Sequence, residues 1–210
     1  MVISPVKKFN TQFIEDSITP KIIEKLAYSY NELSDKVKQK LKDRYCEHVV
    51  ETDLEVECLE TILEELGFCN VKVSYSGFWS QGDGASFTCD NWQYKKGMLN
   101  EIRKNCPTWS SLHLIAKELQ SLSKKTGYTL EFSVYRTNHR YCHENTVECG
   151  FGYNEYDEKI QDCVGDVVKK LCKTLYDSLE KSYDDATSDE SIEDFYTSNE
   201  YLFDEKGHIL

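Results

Sequence analysis

An α+β fold of two layers, with an antiparallel sheet of two β-hairpins packed against several helices, follows from two features of this 210-residue sequence. Apolar stripes at helical spacing come first and then alternate with short period-two segments. Each period-two segment leads through a turn-forming loop into a second segment of the same kind, the pattern of a hairpin. The order is therefore helices, then helix–hairpin, helix–hairpin, helix. Antiparallel hairpins covered by helices on one face make two layers, with the other sheet face open for binding.

The elements follow in order. Thr19-Pro20 starts the first helix, with Thr as N-cap and Pro at N1. Ile22, Ile23, Leu26, Ala27, Tyr30 and Leu33 form its apolar stripe, and a second helix is expected over 34–48. Thr52-Asp53-Leu54-Glu55 has the form of a capping box, and Cys58, Leu59, Ile62, Leu63 and Leu66 continue that helix to a stop at Gly67. Val71, Val73 and Tyr75 then alternate with Lys72, Ser74 and Ser76. Gly82-Asp83-Gly84 turns the chain, and residues 85–89 return. A connecting helix is predicted over 92–105. A clearer one over 108–126 carries Leu112, Ile115, Ala116, Leu119 and Leu122 inward. Leu130, Phe132, Val134 and Arg136 open the second hairpin, residues 138–145 form its loop, and 146–153 return. Ile160, Val164, Val167, Leu171, Leu175 and Leu179 mark a final long helix.

Residues 1–183 read as one α+β domain whose first 66 residues are helical, and 184–210 as an acidic but ordered appendage. That last segment holds nine acidic residues and one lysine, about two-thirds of the formal charge of −12. It also carries Phe195, Tyr196, Tyr201 and Phe203, and Thr187-Ser188-Asp189-Glu190 has capping-box form. Charge favours solvent and the aromatics favour cover, so the segment is expected to dock with its acids outward. Acidic surface disfavours direct nucleic-acid or anionic-membrane binding and favours basic partners. No secretory signal or membrane-spanning run is evident, which predicts a cytoplasmic protein. Nine cysteines without any C-x-x-C pair read as reduced thiols, with Cys58, Cys163 and Cys172 at apolar helical positions.

Two segments hold the candidate chemistry. The first hairpin tip combines glycines and aromatics with polar groups. Trp79 offers a stacking face, while Ser80, Gln81, Asp83 and Ser86 offer hydrogen bonds suited to a nucleotide or a peptide backbone. It is not a phosphate loop, because G-K-[ST] is missing and Asp83 would repel phosphate. The second tip carries Arg136, His139, Tyr141, Cys142, His143 and Glu144. His139 and His143 have H-x3-H spacing, but no second cluster completes a metal site, so no metal or other cofactor is expected. His143 with Glu144 has acid–base chemistry and Cys142 with a histidine has nucleophilic chemistry, yet local spacing establishes neither, and no catalytic residue is assigned. If the two tips meet in one sheet, they form a mixed polar–aromatic surface of binding composition.

The run Tyr75-Ser76-Gly77-Phe78-Trp79-Ser80-Gln81-Gly82-Asp83-Gly84-Ala85-Ser86-Phe87, with His143-Glu144-Asn145, Thr187-Ser188-Asp189-Glu190 and Asn199-Glu200-Tyr201, resembles a family of phage-encoded proteins of antitoxin-like, anti-defence character, close to proteins of T-even-type phages. Residues 1–50 carry no part of the likeness. The resemblance implies neutralisation of a host toxin or defence enzyme by direct binding, in the cytoplasm of an infected bacterium. A nucleic-acid-modifying enzyme such as a DNA ADP-ribosyltransferase is a natural target, with Asp189, Glu190, Glu193 and Asp194 steering its basic groove. Two other classes stand beside this: a nucleotide-binding sponge or hydrolase using the hairpin tips, and a phage structural or assembly protein.

Overall fold

The computed structural model describes residues 26–48, 52–137, 140–152 and 155–210. Among them, a 3-10 turn at Tyr30–Glu32 precedes helices α1 (Asp35–His48) and α2 (Asp53–Glu65). Strands β1 (Phe68–Cys69), β2 (Lys72–Tyr75) and β3 (Ala85–Gln93) follow, then α3 (Met98–Asn105) and α4 (Ser110–Lys125). Strands β4 (Glu131–Arg136) and β5 (Val147–Gly150) lead to α5 (Glu158–Ala186) and α6 (Asp189–Ser198).

All pairings are antiparallel. The long β3 takes β1 and β2 along one side and β4 on the other, and β5 completes the sheet beyond β4. Strand period places Phe87, Cys89, Phe132 and Val134 on a buried face, while Asp90, Glu131, Tyr135 and Glu148 are exposed on the other. Helices α2 to α5 cover only the buried face, with Leu59, Leu63, Ile102, Leu119, Val164 and Leu171 in the same apolar cluster as the strands. The expected two-layer α+β architecture of two hairpins under helices is what the chain forms.

Two element boundaries differ from the sequence reading. The start of the first predicted helix lies outside the described residues, but residues 26–29 are not helical: Tyr28 forms an antiparallel bridge with Phe203. The connecting helix begins at Met98 rather than at 92, because Trp92 belongs to β3 and is wholly buried. Its indole Nε1 donates to the Leu66 carbonyl at 2.8 Å, a long-range bond that holds the strand in place through a bulge between Cys89 and Trp92. Gly67 makes the approach possible. At φ +96° it lies where a Cβ would come within 2.3 Å of the Gln93 carbonyl oxygen.

The capping motifs also work differently. Thr52 makes no cap bond to α2. Its hydroxyl instead meets the Tyr75 hydroxyl at 2.6 Å, and Glu55 accepts from Ser178 of α5 at 2.9 Å. At the other end Ser188, not Thr187, caps α6 by accepting from the Ser191 amide, while the Thr187 hydroxyl donates to the Tyr183 carbonyl and closes α5.

Residues 189–210 fold onto 28–45 and form a second apolar cluster, separate from the sheet core. Tyr30, Leu33, Val37, Leu41, Ile192, Tyr196 and Phe203 are all buried there. Tyr30 and Tyr196 stack at 5.2 Å between centroids, and the Tyr196 hydroxyl donates to the Leu41 carbonyl. Gly207, in the turn between Phe203 and Ile209, lies so close to α1 that a Cβ would fall 2.8 Å from Val37.

All nine cysteines are free thiols. Cys172 is buried as expected, whereas Cys58 and Cys163 are exposed on the outer sides of their helices. Burial pushes the Cys89 and Cys172 thiols up to about 12 and that of Cys149 to about 11, so these three stay protonated. Among the described residues no helix is long and apolar enough to cross a membrane.

Candidate functional site

The first hairpin loop, residues 76–84, is closed at its neck by the Ser76 amide donating to the Gly84 carbonyl at 3.2 Å. At its tip the Asp83 amide donates to the Ser80 carbonyl, and Gly82 supplies the φ of +91° that the third position of such a turn requires. The Asp83 carboxylate accepts from the Ser80 amide at 2.7 Å. Asp83 and the Ser80 backbone thus build the loop from within.

The second loop folds directly against the first. Gly84 abuts the Cys142–His143 backbone so closely that a Cβ would fall 2.5 Å from the His143 Cβ and 2.7 Å from the Cys142 carbonyl oxygen. The Tyr141 ring covers Gly82, and the Cys142 amide donates to the Ser76 hydroxyl at 3.4 Å. Arg136 Nη2 donates to the Tyr141 carbonyl at 3.1 Å and braces this loop across its base, while the Arg140 guanidinium stands 5.3 Å over the Tyr141 ring. The two tips therefore form one continuous surface.

A third element joins them. Phe78 and Trp79 pack against Tyr183 of α5 at 4.9 and 5.3 Å, and Phe78 also meets Tyr75 and Tyr176. Trp79 remains 66% exposed at φ +66°, a backbone conformation that bulky residues rarely adopt and that costs about 1–3 kcal/mol. Tyr176 and Tyr183, seven residues apart on one side of α5, were not among the expected site residues. Their i, i+7 spacing was the available signal.

The remaining candidates divide. Ser80 and Gln81 are exposed at the tip, and His143 and Glu144 are half-buried. Ser86 is fully buried, with no hydrogen-bond partner for its hydroxyl, so it is an interior residue and not the surface donor expected of it. His139 lies outside the described residues. His143 Nδ1 accepts from the Asn145 amide at 3.2 Å, and the Glu144 carboxylate accepts from the Asn145 side chain at 3.3 Å, so each serves the local turn. Cys142 is only 6% exposed, which closes its thiol to a substrate. Among the described residues no three His, Cys, Asp or Glu side chains converge as metal ligands.

The four acids of α6 all project outward. Asp189 pairs with Lys42 at 2.6 Å, and Asp194 accepts from Ser198 at 3.0 Å. Asp189 and Glu190 also occupy the first turn of α6, where negative charge complements the helix dipole.

A family model described as a domain of unknown function (DUF8835) matches residues 52–189, which take in the whole sheet, α2 to α5 and the joined hairpin tips. No curated protein and no solved structure matches the chain.

Proposed function

The chain belongs to the DUF8835 family, and we propose that it acts by binding, as an antitoxin-like or anti-defence protein that neutralises a host toxin or defence enzyme in the bacterial cytoplasm. The observation that carries this reading is Trp79, held exposed in a rarely adopted backbone conformation where two interlocked loops and α5 meet. An exposed, pre-positioned aromatic beside a dense cluster of rings is a protein-binding anchor, because it loses little side-chain freedom on burial. Asp83 Oδ2, His143 Nδ1 and Glu144 Oε1 each accept a hydrogen bond from within their own loop, which supports recognition over turnover. Exposed acids on α6 add a negative field for a basic partner, such as a DNA ADP-ribosyltransferase with its nucleic-acid groove.

The test is affinity capture from bacterial host lysate by the tagged chain, compared with the double variant Trp79→Ala, Gln81→Ala. The wild type should retain one host protein stoichiometrically, and the double variant should lose it while its stability stays within ~1 kcal/mol, as expected at an exposed loop. Equal capture by both proteins would remove the tip from the interface. Retention of a nucleotide by the purified chain would favour the sponge or hydrolase instead.

A further inference from the structure

Strand β5 ends the sheet, and its outer side faces a groove of about 550 Å³ between the strand and the first half of α5. Strand pairing determines which backbone groups face that groove. The Thr137 amide donates to the Thr146 carbonyl at 2.9 Å, which makes 137 and 146 a hydrogen-bonded pair. Such pairs alternate along an antiparallel ladder. Glu148 and Gly150 therefore turn their amides and carbonyls toward β4, and Val147 and Cys149 turn theirs toward the groove. The opposite side of the sheet is guarded: at β2 the Val73 amide donates to the Glu60 carboxylate of α2 at 2.9 Å. The β5 edge has no such cover among the described residues.

The far wall of the groove contains an otherwise unexplained residue. Gly165 sits in the interior of α5, where glycine costs about 1 kcal/mol relative to alanine. Nothing lies within 4 Å of where its Cβ would be, so no packing inside the chain requires a glycine. An open notch opposite free strand groups lets another backbone come close. Asp162 and Asp166 of α5 line the same groove against the single positive charge of Lys169, while the Glu148 carboxylate stands on the exposed face of the sheet and accepts from the Tyr135 hydroxyl at 3.0 Å.

We propose that the β5 edge and the Gly165 notch of α5 form a second binding site, which accepts an extended, lysine- or arginine-rich segment of a partner protein as an added antiparallel strand. Backbone bonds to Val147 and Cys149 supply register, and the Asp162 and Asp166 carboxylates supply preference for basic side chains. This site is separate from the hairpin tips and stands or falls independently of them.

The probe is a fluorescein-labelled decapeptide alternating lysine and valine, titrated with the full chain and followed by anisotropy. Binding is expected to weaken about tenfold or more when alternate peptide amides are N-methylated, when the lysines become glutamates, and in the variant Gly165→Leu, which fills the notch. Asp162→Lys with Asp166→Lys, at two exposed positions, should weaken it without depending on how the helix tolerates leucine. Trp79→Ala should leave peptide binding unchanged. Equal binding of the N-methylated peptide would reduce the site to charge attraction, and unchanged binding to Gly165→Leu and to the double lysine variant would place the peptide elsewhere. A dimer that Gly165→Leu dissolves would assign the edge to a second copy of the chain, and each of these three results overturns the proposal.

Discussion

At the scale of single side chains, defined hydrogen bonds make several effects separable. Asp204 accepts from the backbone and the ring of His208 and from the Lys206 amide, which together hold its carboxyl well below its ordinary 3.8, at about 2. The folded chain thus releases this proton more readily than the unfolded one. The stabilisation is complete above the ordinary carboxylate pKa and is lost as pH falls toward 2. A carboxyl NMR titration should give Asp204 a midpoint near 2, and an ordinary midpoint would break the assignment of its bonds to His208. The Thr52–Tyr75 hydroxyl pair makes a second prediction at this scale. Because Thr52 does not cap α2, Thr52→Val and Tyr75→Phe should be coupled by roughly 1 kcal/mol in a double-mutant cycle read by urea unfolding. Additive effects would return Thr52 to the helix. Among the thiols, a bulky reagent should label Cys58, Cys69 and Cys163 in the native protein, and Cys89 and Cys172 only on unfolding.

At the scale of elements, the hairpin tips behave as one unit because Gly84 leaves no room between them. Gly84→Ala should push the second loop off the first and abolish partner capture, while the sheet keeps its near-ultraviolet dichroism. Retained capture would show that the loops act separately. The hairpins themselves were legible in the sequence because their signals are local: period-two alternation, a polar turn-forming loop that in the first hairpin is glycine-rich, and a returning strand. The long helix α5 was legible for the same reason, through its repeated apolar stripe. What escaped was set by distant partners. Trp92 is a strand residue because its indole reaches Leu66, and residues 26–29 are extended because Tyr28 pairs with Phe203. Ser86 alternates like a surface residue and yet is fully buried. The site was legible as two loops; the i, i+7 spacing of Tyr176 and Tyr183 places both on one side of α5, but that this side meets the loops depends on how α5 crosses the sheet.

The described residues gather into two apolar clusters, and the second uses chain from both ends of the described structure. Phe203 is fully buried in it, so Phe203→Ala should cost roughly 3–5 kcal/mol locally, seen as lost amide protection over 28–45 and 189–210 with 52–188 still protected. Uniform loss of protection would merge the two clusters into one cooperative unit. Neutralising Asp189, Glu190, Glu193 and Asp194 together should slow association with a basic partner and flatten its dependence on salt, since exposed charges act over only about 8–10 Å at physiological ionic strength. Unchanged kinetics would sever the appendage from recognition. The Tyr28–Phe203 clasp has a further consequence during synthesis. Residues 28–45 leave the ribosome well before the helix and turn that cover them exist, and at about 5–20 residues per second the wait lasts on the order of ten to thirty seconds. Throughout that interval Tyr30, Leu33, Val37 and Leu41 stand bare on a nascent chain whose sheet can already be complete, so this segment is where a chaperone or a protease would meet the protein first.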